Sequence, residues 1–170
     1  MIVRFAIIHI YFAGGIALII QKLNSDLFDD GAALANRVFL AQVMQSYPDE
    51  GKANMMRYMA KKSDILALQC ERGERCAFGC FEDDKLLGFM VYTYPNLISL
   101  LYVDTGQQGR GIGKNLMAYA AGYAVGLGQK VLHVNSSDFG LPFYQRCGFV
   151  PTGFRTVNDG VVYTPMKRLL

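Results

Sequence analysis

Between Gln107 and Met117 three glycines, Gly109, Gly111 and Gly113, alternate with Arg110 and Ile112 and run directly into a helical pattern. Glycine costs a helix about 1 kcal/mol relative to alanine, so its use at a helix entrance points to something that must approach the main chain. A helix N-terminus offers N–H groups without intrahelical partners and the positive end of the helix dipole. Glycines there let an anion reach those groups, and Arg110 and Lys114 add positive charge. A diphosphate-bearing ligand suits such a cradle; the plain alternative is a tight strand-to-helix turn. Two known phosphate loops do not fit. The spacing is GxGxG rather than GxGxxG, and Gly109 to Lys114 is too short for GxxxxGK[ST], with Asn115 where a hydroxyl residue belongs.

Other side chains with chemistry are scattered. His133 is a general-base candidate by residue type, yet a lone histidine in an apolar strand is more often a packed residue. Asp104 stands where a carboxylate shapes a turn. Tyr92, Tyr94 and Tyr102 either line a pocket or pack a sheet. Cys70, Cys76, Cys80 and Cys147 show no paired CxxC and no nearby histidine, so no metal site is expected. A chain of 170 residues with 52% hydrophobic side chains builds its own core without disulfides, and reduced thiols in a cytoplasmic setting are expected. The net charge of +3, without a long basic run, gives no nucleic-acid footprint.

The elements that must position these residues follow from periodicity. Ala17–Leu23 reads as a short buried strand. Asn24 or Ser25 caps a helix running to about Ser46, with Asp26, Asp29 and Asp30 near its positive end. A second helix follows Pro48, and a third ends at Gly73. Met44, Met55, Met56 and Met59 are either core filler or a flexible apolar wall beside a substrate. Alternation then replaces helical spacing. Arg75–Asp83 and Lys85–Tyr94 form a hairpin at Asp83-Asp84, and Asn96–Val103 is a further strand. After the glycine loop comes a helix with Leu116, Ala120, Tyr123 or Ala124, and Leu127 on one face. A strand over Lys130–Ser137, a short helix closed by Gly148, and a hairpin of Phe149–Val157 and Val161–Leu169 around Asn158-Asp159-Gly160 complete the chain. This order is α/β with a mixed sheet. Phe5–Ile20 is almost wholly apolar but shorter than the ~20 residues of a membrane span. A strand pair turning at Gly14-Gly15 is expected, with a membrane or export role as the alternative.

Two motifs, taken together, resemble the GNAT superfamily of acyl-CoA-dependent N-acyltransferases. Gln108-Gly109-Arg110-Gly111-Ile112-Gly113 is similar to its Q/R-x-x-G-x-G/A signature, and Phe143-Tyr144-Gln145-Arg146-Cys147-Gly148-Phe149 to its FYxxxGF segment. The preceding strand, Leu100–Gly106, looks like that family's fourth strand, and Gly160–Leu169 like its last. The resemblance covers about Ile19 to Leu170. It implies a GNAT-like fold, a mixed splayed sheet with helices on both faces, over residues 18–170, with 1–17 as an apolar extension packed as a strand. It implies acetyl-CoA as co-substrate: the main chain of Leu101 and Val103 on the pantetheine arm, the N–H groups of Gln108, Gly109, Arg110, Gly111, Ile112, Gly113 and Lys114 on the pyrophosphate, and Ser137, Phe139 and Phe143 beside the CoA. Ser137 stands near where many relatives carry asparagine. By the same resemblance Tyr144 is the acid that protonates the departing thiolate, and the Val103 N–H donates to the oxyanion. Cys147 lacks a visible His/Asp partner, which argues for direct transfer to an amine without a covalent enzyme intermediate. The acceptor is left open: small molecule or protein amine. A homodimer is compatible with this reading. The rivals are a CoA-binding sensor without catalysis and a membrane-associated enzyme anchored by its N-terminus.

Overall fold

A computed structural model describes residues 9–13 and 16–170. Eight strands form one mixed sheet, β1 (His9–Ala13), β2 (Ile16–Lys22), β3 (Arg75–Glu82), β4 (Lys85–Thr93), β5 (Leu97–Val103), β6 (Val131–Ser136), β9 (Val161–Leu169) and β7 (Val150–Pro151), in that spatial order. A short strand β8 (Thr156–Asn158) pairs with β9 off this path. Neighbours are antiparallel except β5 and β6. Helices α1 (Phe28–Val38), α2 (Asp49–Ala60) and α3 (Lys62–Glu71) precede β3; α4 (Ile112–Gly126) and α5 (Leu141–Arg146) flank β6 in sequence. The fold class expected from the residues is the one observed.

The expected N-terminal strand pair is present as β1 and β2, in register from His9–Ile20 to Ala13–Ile16. Its turn at Gly14-Gly15, and Met1–Ile8, lie outside the described residues. β2 also pairs with β3, and Leu18 and Ile20 are fully buried. The division expected after residue 17 therefore falls inside one strand.

Strand alternation sends side chains into two cores. Cys76, Phe78 and Cys80 of β3 join Leu87, Met90 and Tyr92 of β4 against Ile112, Leu116, Ala120 and Ala124 of α4. Ala77 and Phe81 join Phe89 and Val91 against Phe28, Leu34, Ala35 and Val38 of α1. Each fully buried Leu, Phe or Met contributes roughly 1.5–3 kcal/mol of transfer free energy, so both faces of the sheet are committed to the interior.

Three local expectations are corrected. Neither Asn24 nor Ser25 caps α1 with its side chain; a 3-10 turn, Ser25–Leu27, leads into the helix, and Asn24 donates instead to Asp26 at 3.3 Å. Leu127 is 42% exposed, because α4 ends at Gly126 and the chain leaves the apolar face there. The strand expected over Phe149–Val157 is broken into β7 and β8, with irregular backbone between them. The helical run to Ser46 is observed, but its middle, Phe39–Val43, is a π turn followed by a 3-10 turn over Met44–Ser46. The wider π turn places both Phe39 and Val43 in the second core, and such turns are frequent at functional sites.

Candidate active site

The parallel pair β5–β6 holds together over only two residue pairs, Leu97–His133 and Ile98–Val134, tied by the His133 N–H donating to the Asn96 carbonyl at 2.9 Å. Beyond these the strands part, and the sheet has a seam. On the other side β5 stays paired with β4 to its end, where the Asp104 N–H donates to the Leu87 carbonyl. Antiparallel pairing alternates between residues that bond the neighbour and residues that face away. With Asp104 bonded to β4, Tyr102 is also bonded, and the main-chain groups of Leu101 and Val103 turn toward the seam. A β-bulge contributes to this phase: Val91 pairs with Leu100 and Tyr92 with Ile98, leaving Ser99 as the extra residue. Bulges re-aim the residues after them. Ile98, Leu101 and Val103 thus share the α4 face, and Leu100 and Tyr102 the α1 face.

A cavity of about 1210 Å³ runs along this seam. Its walls include Ile112, Phe143 and Tyr144 from the first core and Phe39, Val43 and Val162 from the second. One continuous space therefore reaches both faces of the sheet.

At the α4 end lies the glycine loop. Gly109 and Gly111 both have φ +82°, the left-handed region that glycine adopts without strain. A Cβ at either would meet nothing within 4 Å, so the space above this backbone is open. The first i to i−4 bond into α4 is Asn115 N–H to the Gly111 carbonyl, which leaves the N–H groups ahead of it without intrahelical partners. At Gly113 a Cβ would lie 3.2 Å from the Phe143 ring, so glycine lets α4 sit close against α5. Of the residues expected around a CoA ligand, Leu101, Val103, Gln108, Gly109, Gly111, Ile112, Gly113, Lys114, Ser137, Phe139 and Phe143 all line the cavity. Arg110 does not. Its guanidinium pairs with Glu82, 2.5 Å at the shortest, and also bonds Gln107. That pairing holds the Glu82 carboxyl below its usual range, and Arg110 can serve an anion only through its main chain.

Tyr144 is 8% exposed and lines the cavity beside Phe143 and Phe149, with ring centroids 5.2 and 5.6 Å away. Among the described residues its hydroxyl has no hydrogen-bond partner, unlike a phenol bonded locally in a core. Burial pushes its pKa up, with a smaller contribution from Cys147, so the phenol stays protonated well beyond neutral pH. The Val103 carbonyl accepts from Gln108 Nε2 at 3.2 Å. That amide in turn pairs with Gln42 of the π turn, at 2.8 and 3.2 Å.

Other sequence candidates separate cleanly. Tyr92 is fully buried and donates to the Pro95 carbonyl at 2.5 Å, and Tyr94 bonds Tyr123 and Cys76; both are core residues, whereas Tyr102 lines the cavity. His133 does not line it, which removes the geometric support for a base role. Asp104 shapes the turn as expected, accepting from the Gly106 N–H at 3.1 Å and from Arg37 at 3.4 Å. Cys147 is absent from the cavity wall and burial pushes its thiol up. All four cysteines are free, and among the described residues no cluster of acids, histidines and cysteines could hold a metal. Among the methionines, Met55 lines the cavity, Met44 packs on the second core, and Met56 is half exposed; the Met59 side chain lies outside the described residues.

Sequence reasoning missed most of the α1 side of the cavity. Phe39, Val43, Tyr47, Asn54, Asp159 and Val162 come from the π turn, the link between the 3-10 turn and α2, α2 itself and the β8–β9 hairpin. On this side only Met55, through the methionine cluster, and Tyr102, among the strand tyrosines, carried a signal. α2 and the hairpin tip touch through backbone: a Cβ on Gly51 would lie 2.1 Å from the Gly160 carbonyl oxygen, and Asn54 donates to the Asp159 carbonyl at 3.3 Å. Among the described residues no helix is long and apolar enough to cross a membrane.

The family model of the acetyltransferase (GNAT) domain matches residues 43–170. A peptidyl-lysine N-acetyltransferase of Salmonella typhimurium, YjaB, is 36% identical over 78 residues, 46% of this chain and 52% of that protein. The chain thus aligns with about half the length of that curated relative. A GCN5-related N-acetyltransferase from Rhodopseudomonas palustris has the same fold, with a TM-score of 0.73 at 20% identity, over 94% of this chain and 99% of the other. The PaiA N-acetyltransferase from Thermoplasma acidophilum, solved in complex with coenzyme A, has a TM-score of 0.74 at 18% identity, over 90% and 99% of the two chains. With the family model matched over residues 43–170, the chain belongs to the GNAT acetyltransferases, enzymes that use acetyl-CoA.

Proposed function

We propose that this protein transfers the acetyl group of acetyl-CoA directly to a primary amine, of a small molecule or of a protein. The observation that carries the reading is the single cavity reaching both faces of the sheet at the β5–β6 seam. Bound acetyl-CoA supplies the activated acyl group from the α4 side, and the amine approaches from the α1 side. The open glycine loop and the partnerless N–H groups of α4 suit the pyrophosphate. Leu101 and Val103 offer strand-like main-chain bonds to the pantetheine arm. The Val103 N–H donates to the developing oxyanion. Tyr144, held neutral by burial, gives its proton to the departing thiolate. Cys147 stands off the cavity wall, which favours direct transfer. The free Tyr144 hydroxyl favours an enzyme over a silent CoA sensor. The name of the Salmonella relative supports a peptide lysine as one form of the acceptor. Four free thiols suit a reducing cytoplasm.

The test is thiol release from acetyl-CoA against a panel of amines, with acetylated product identified by mass. Saturable amine-dependent release is expected. Tight acetyl-CoA binding without turnover of any amine would favour the sensor.

A further inference from the structure

The α1 half of the cavity specifies what kind of amine it accepts. We propose that the acceptor is a primary amine carried on an apolar stem, with no second cation within the cavity; this rests on the acetyltransferase reading above. Phe39 and Val43 from the π turn, Met55 from α2, Val162 from β9 and Leu100 from β5 give this half its apolar surface; Tyr47 and Asn54 stand among them, but the Tyr47 hydroxyl donates to the Val162 carbonyl and the Asn54 amide to the Asp159 carbonyl. Across the whole cavity, Asp159 is the only carboxylate among the described lining residues, against Arg75, Lys114 and Arg146. Lys114 and Arg146 belong to the α4 and α5 side, where a phosphate-bearing ligand neutralises them. Arg75 forms no ion pair among the described residues. A polyamine bound here would bury a second ammonium against apolar walls with one carboxylate to answer it. An amino sugar would bury hydroxyls beside Tyr47, Asn54 and Ser99, whose own donors are already given to the Val162, Asp159 and Val91 carbonyls.

The same walls supply what a general base would otherwise provide. Moving an ammonium from water into apolar surroundings disfavours its charged form, so its pKa falls and the neutral, nucleophilic fraction rises at neutral pH. Among the described residues no histidine or second carboxylate lines the cavity; the ammonium's proton leaves to solvent on entry, and the proton the nitrogen sheds as the C–N bond forms and the C–S bond breaks goes to the phenolate left when Tyr144 protonates the thiolate. Asp159, at the hairpin tip, attracts the ammonium at entry; the apolar interior then takes the neutral amine. Two sources share this chemistry, a free alkyl or aralkyl amine and the four-methylene stem of a peptide lysine.

The experiment compares kcat/KM for 2-phenylethylamine, n-butylamine, an Nα-acetylated peptide with one lysine, spermidine and glucosamine, at fixed pH and saturating acetyl-CoA. Acetyl-CoA binding is measured separately by calorimetry. At least one of the first three is expected to exceed spermidine and glucosamine by on the order of 10²-fold, the scale of an uncompensated buried polar group. Whether the small amines or the peptide lead identifies the source. Met55→Glu, which adds a carboxylate to the wall, is expected to shift the ratio toward spermidine by about tenfold. Acetyl-CoA binding with preferential turnover of spermidine or glucosamine overturns the inference and leaves the acetyltransferase reading standing. So does binding with turnover of none of the first three. Absence of acetyl-CoA binding overturns both.

Discussion

Gly111→Val isolates what the glycine loop does. The backbone at Gly111 has φ +82° and ψ 0°, and a Cβ there meets no protein atom within 4 Å. The cost to folding is therefore conformational rather than steric, about 1–2 kcal/mol for an L side chain in the left-handed region. At about 2–4 °C per kcal/mol for a chain of this size, the melting temperature should fall by only a few degrees. The cost to binding is larger. The valine methyls occupy the open space above the N–H groups of α4, the place proposed for the diphosphate. Losing two charge-assisted bonds, at about 1.5–3 kcal/mol each, weakens acetyl-CoA by on the order of 10²–10⁴-fold. Calorimetry with acetyl-CoA and with S-acetyl-pantetheine, which has no diphosphate, separates the effects. Affinity for the first should collapse, and affinity for the second should hold. Gly122→Ala is the control, since a Cβ in the middle of α4 also meets nothing within 4 Å. Equal losses for both ligands, or a wild-type affinity for acetyl-CoA, would refute the cradle.

Tyr144→Phe should keep acetyl-CoA affinity and lower kcat by about 10²–10⁴-fold, the range of a general acid; unchanged turnover with chemistry rate-limiting would end the assignment. Because burial raises the Tyr144 pKa, the alkaline limb of the wild-type profile should lie above the usual tyrosine value of about 10, and the Phe variant should lack it. Gly51→Ala, which forces α2 away from the Gly160 carbonyl, should raise KM for the amine several-fold while leaving acetyl-CoA binding near wild type, as read by kinetics and calorimetry side by side. Four thiols should react with a chromogenic disulfide in denaturant without reductant. In the native protein Cys76 and Cys80, 1% and 0% exposed and with raised pKa values, should react slowest; a count below four would show a disulfide.

The half of the site proposed for CoA was legible because it is local in sequence. Gly109 to Lys114 and Phe143 to Phe149 are each a continuous segment, and of the ligand residues expected in them all but Arg110 line the cavity. That exception has a simple cause: Glu82, distant in sequence, captures the guanidinium, and no local pattern signals it. Beyond Met55 and Tyr102, the α1 half of the cavity was not legible. Phe39, Met55, Leu100 and Val162 come from four separate elements, and each alone reads as core. The π turn is equally silent, since Phe39 and Val43 at i and i+4 suit an ordinary helix. Strand identities followed from alternation, but Ser99 hides its bulge because β5 is apolar throughout and one extra residue leaves no visible change of phase. Asn24 and Ser25 failed as caps because a 3-10 turn begins there and the side-chain bond is never formed.

The narrow β5–β6 pairing has a consequence for how the protein responds to its surroundings. Five strands lie on one side of it and the remaining sheet on the other, joined in the backbone by two residue pairs. Slow amide exchange reports the free energy of opening, which is lowest where few bonds hold. The amides of Leu101 and Val103, bonded to neither neighbour strand, should exchange early in the empty protein. A pantetheine arm laid along them acts as a strut between the two blocks. Ligand that binds only the folded chain adds RT ln(1 + [L]/Kd) to its stability, and here that increment falls on the weakest line of the sheet. Resistance to heat and to proteolysis should thus track the concentration of acetyl-CoA, so the protein's persistence in a cell becomes coupled to acyl-group supply.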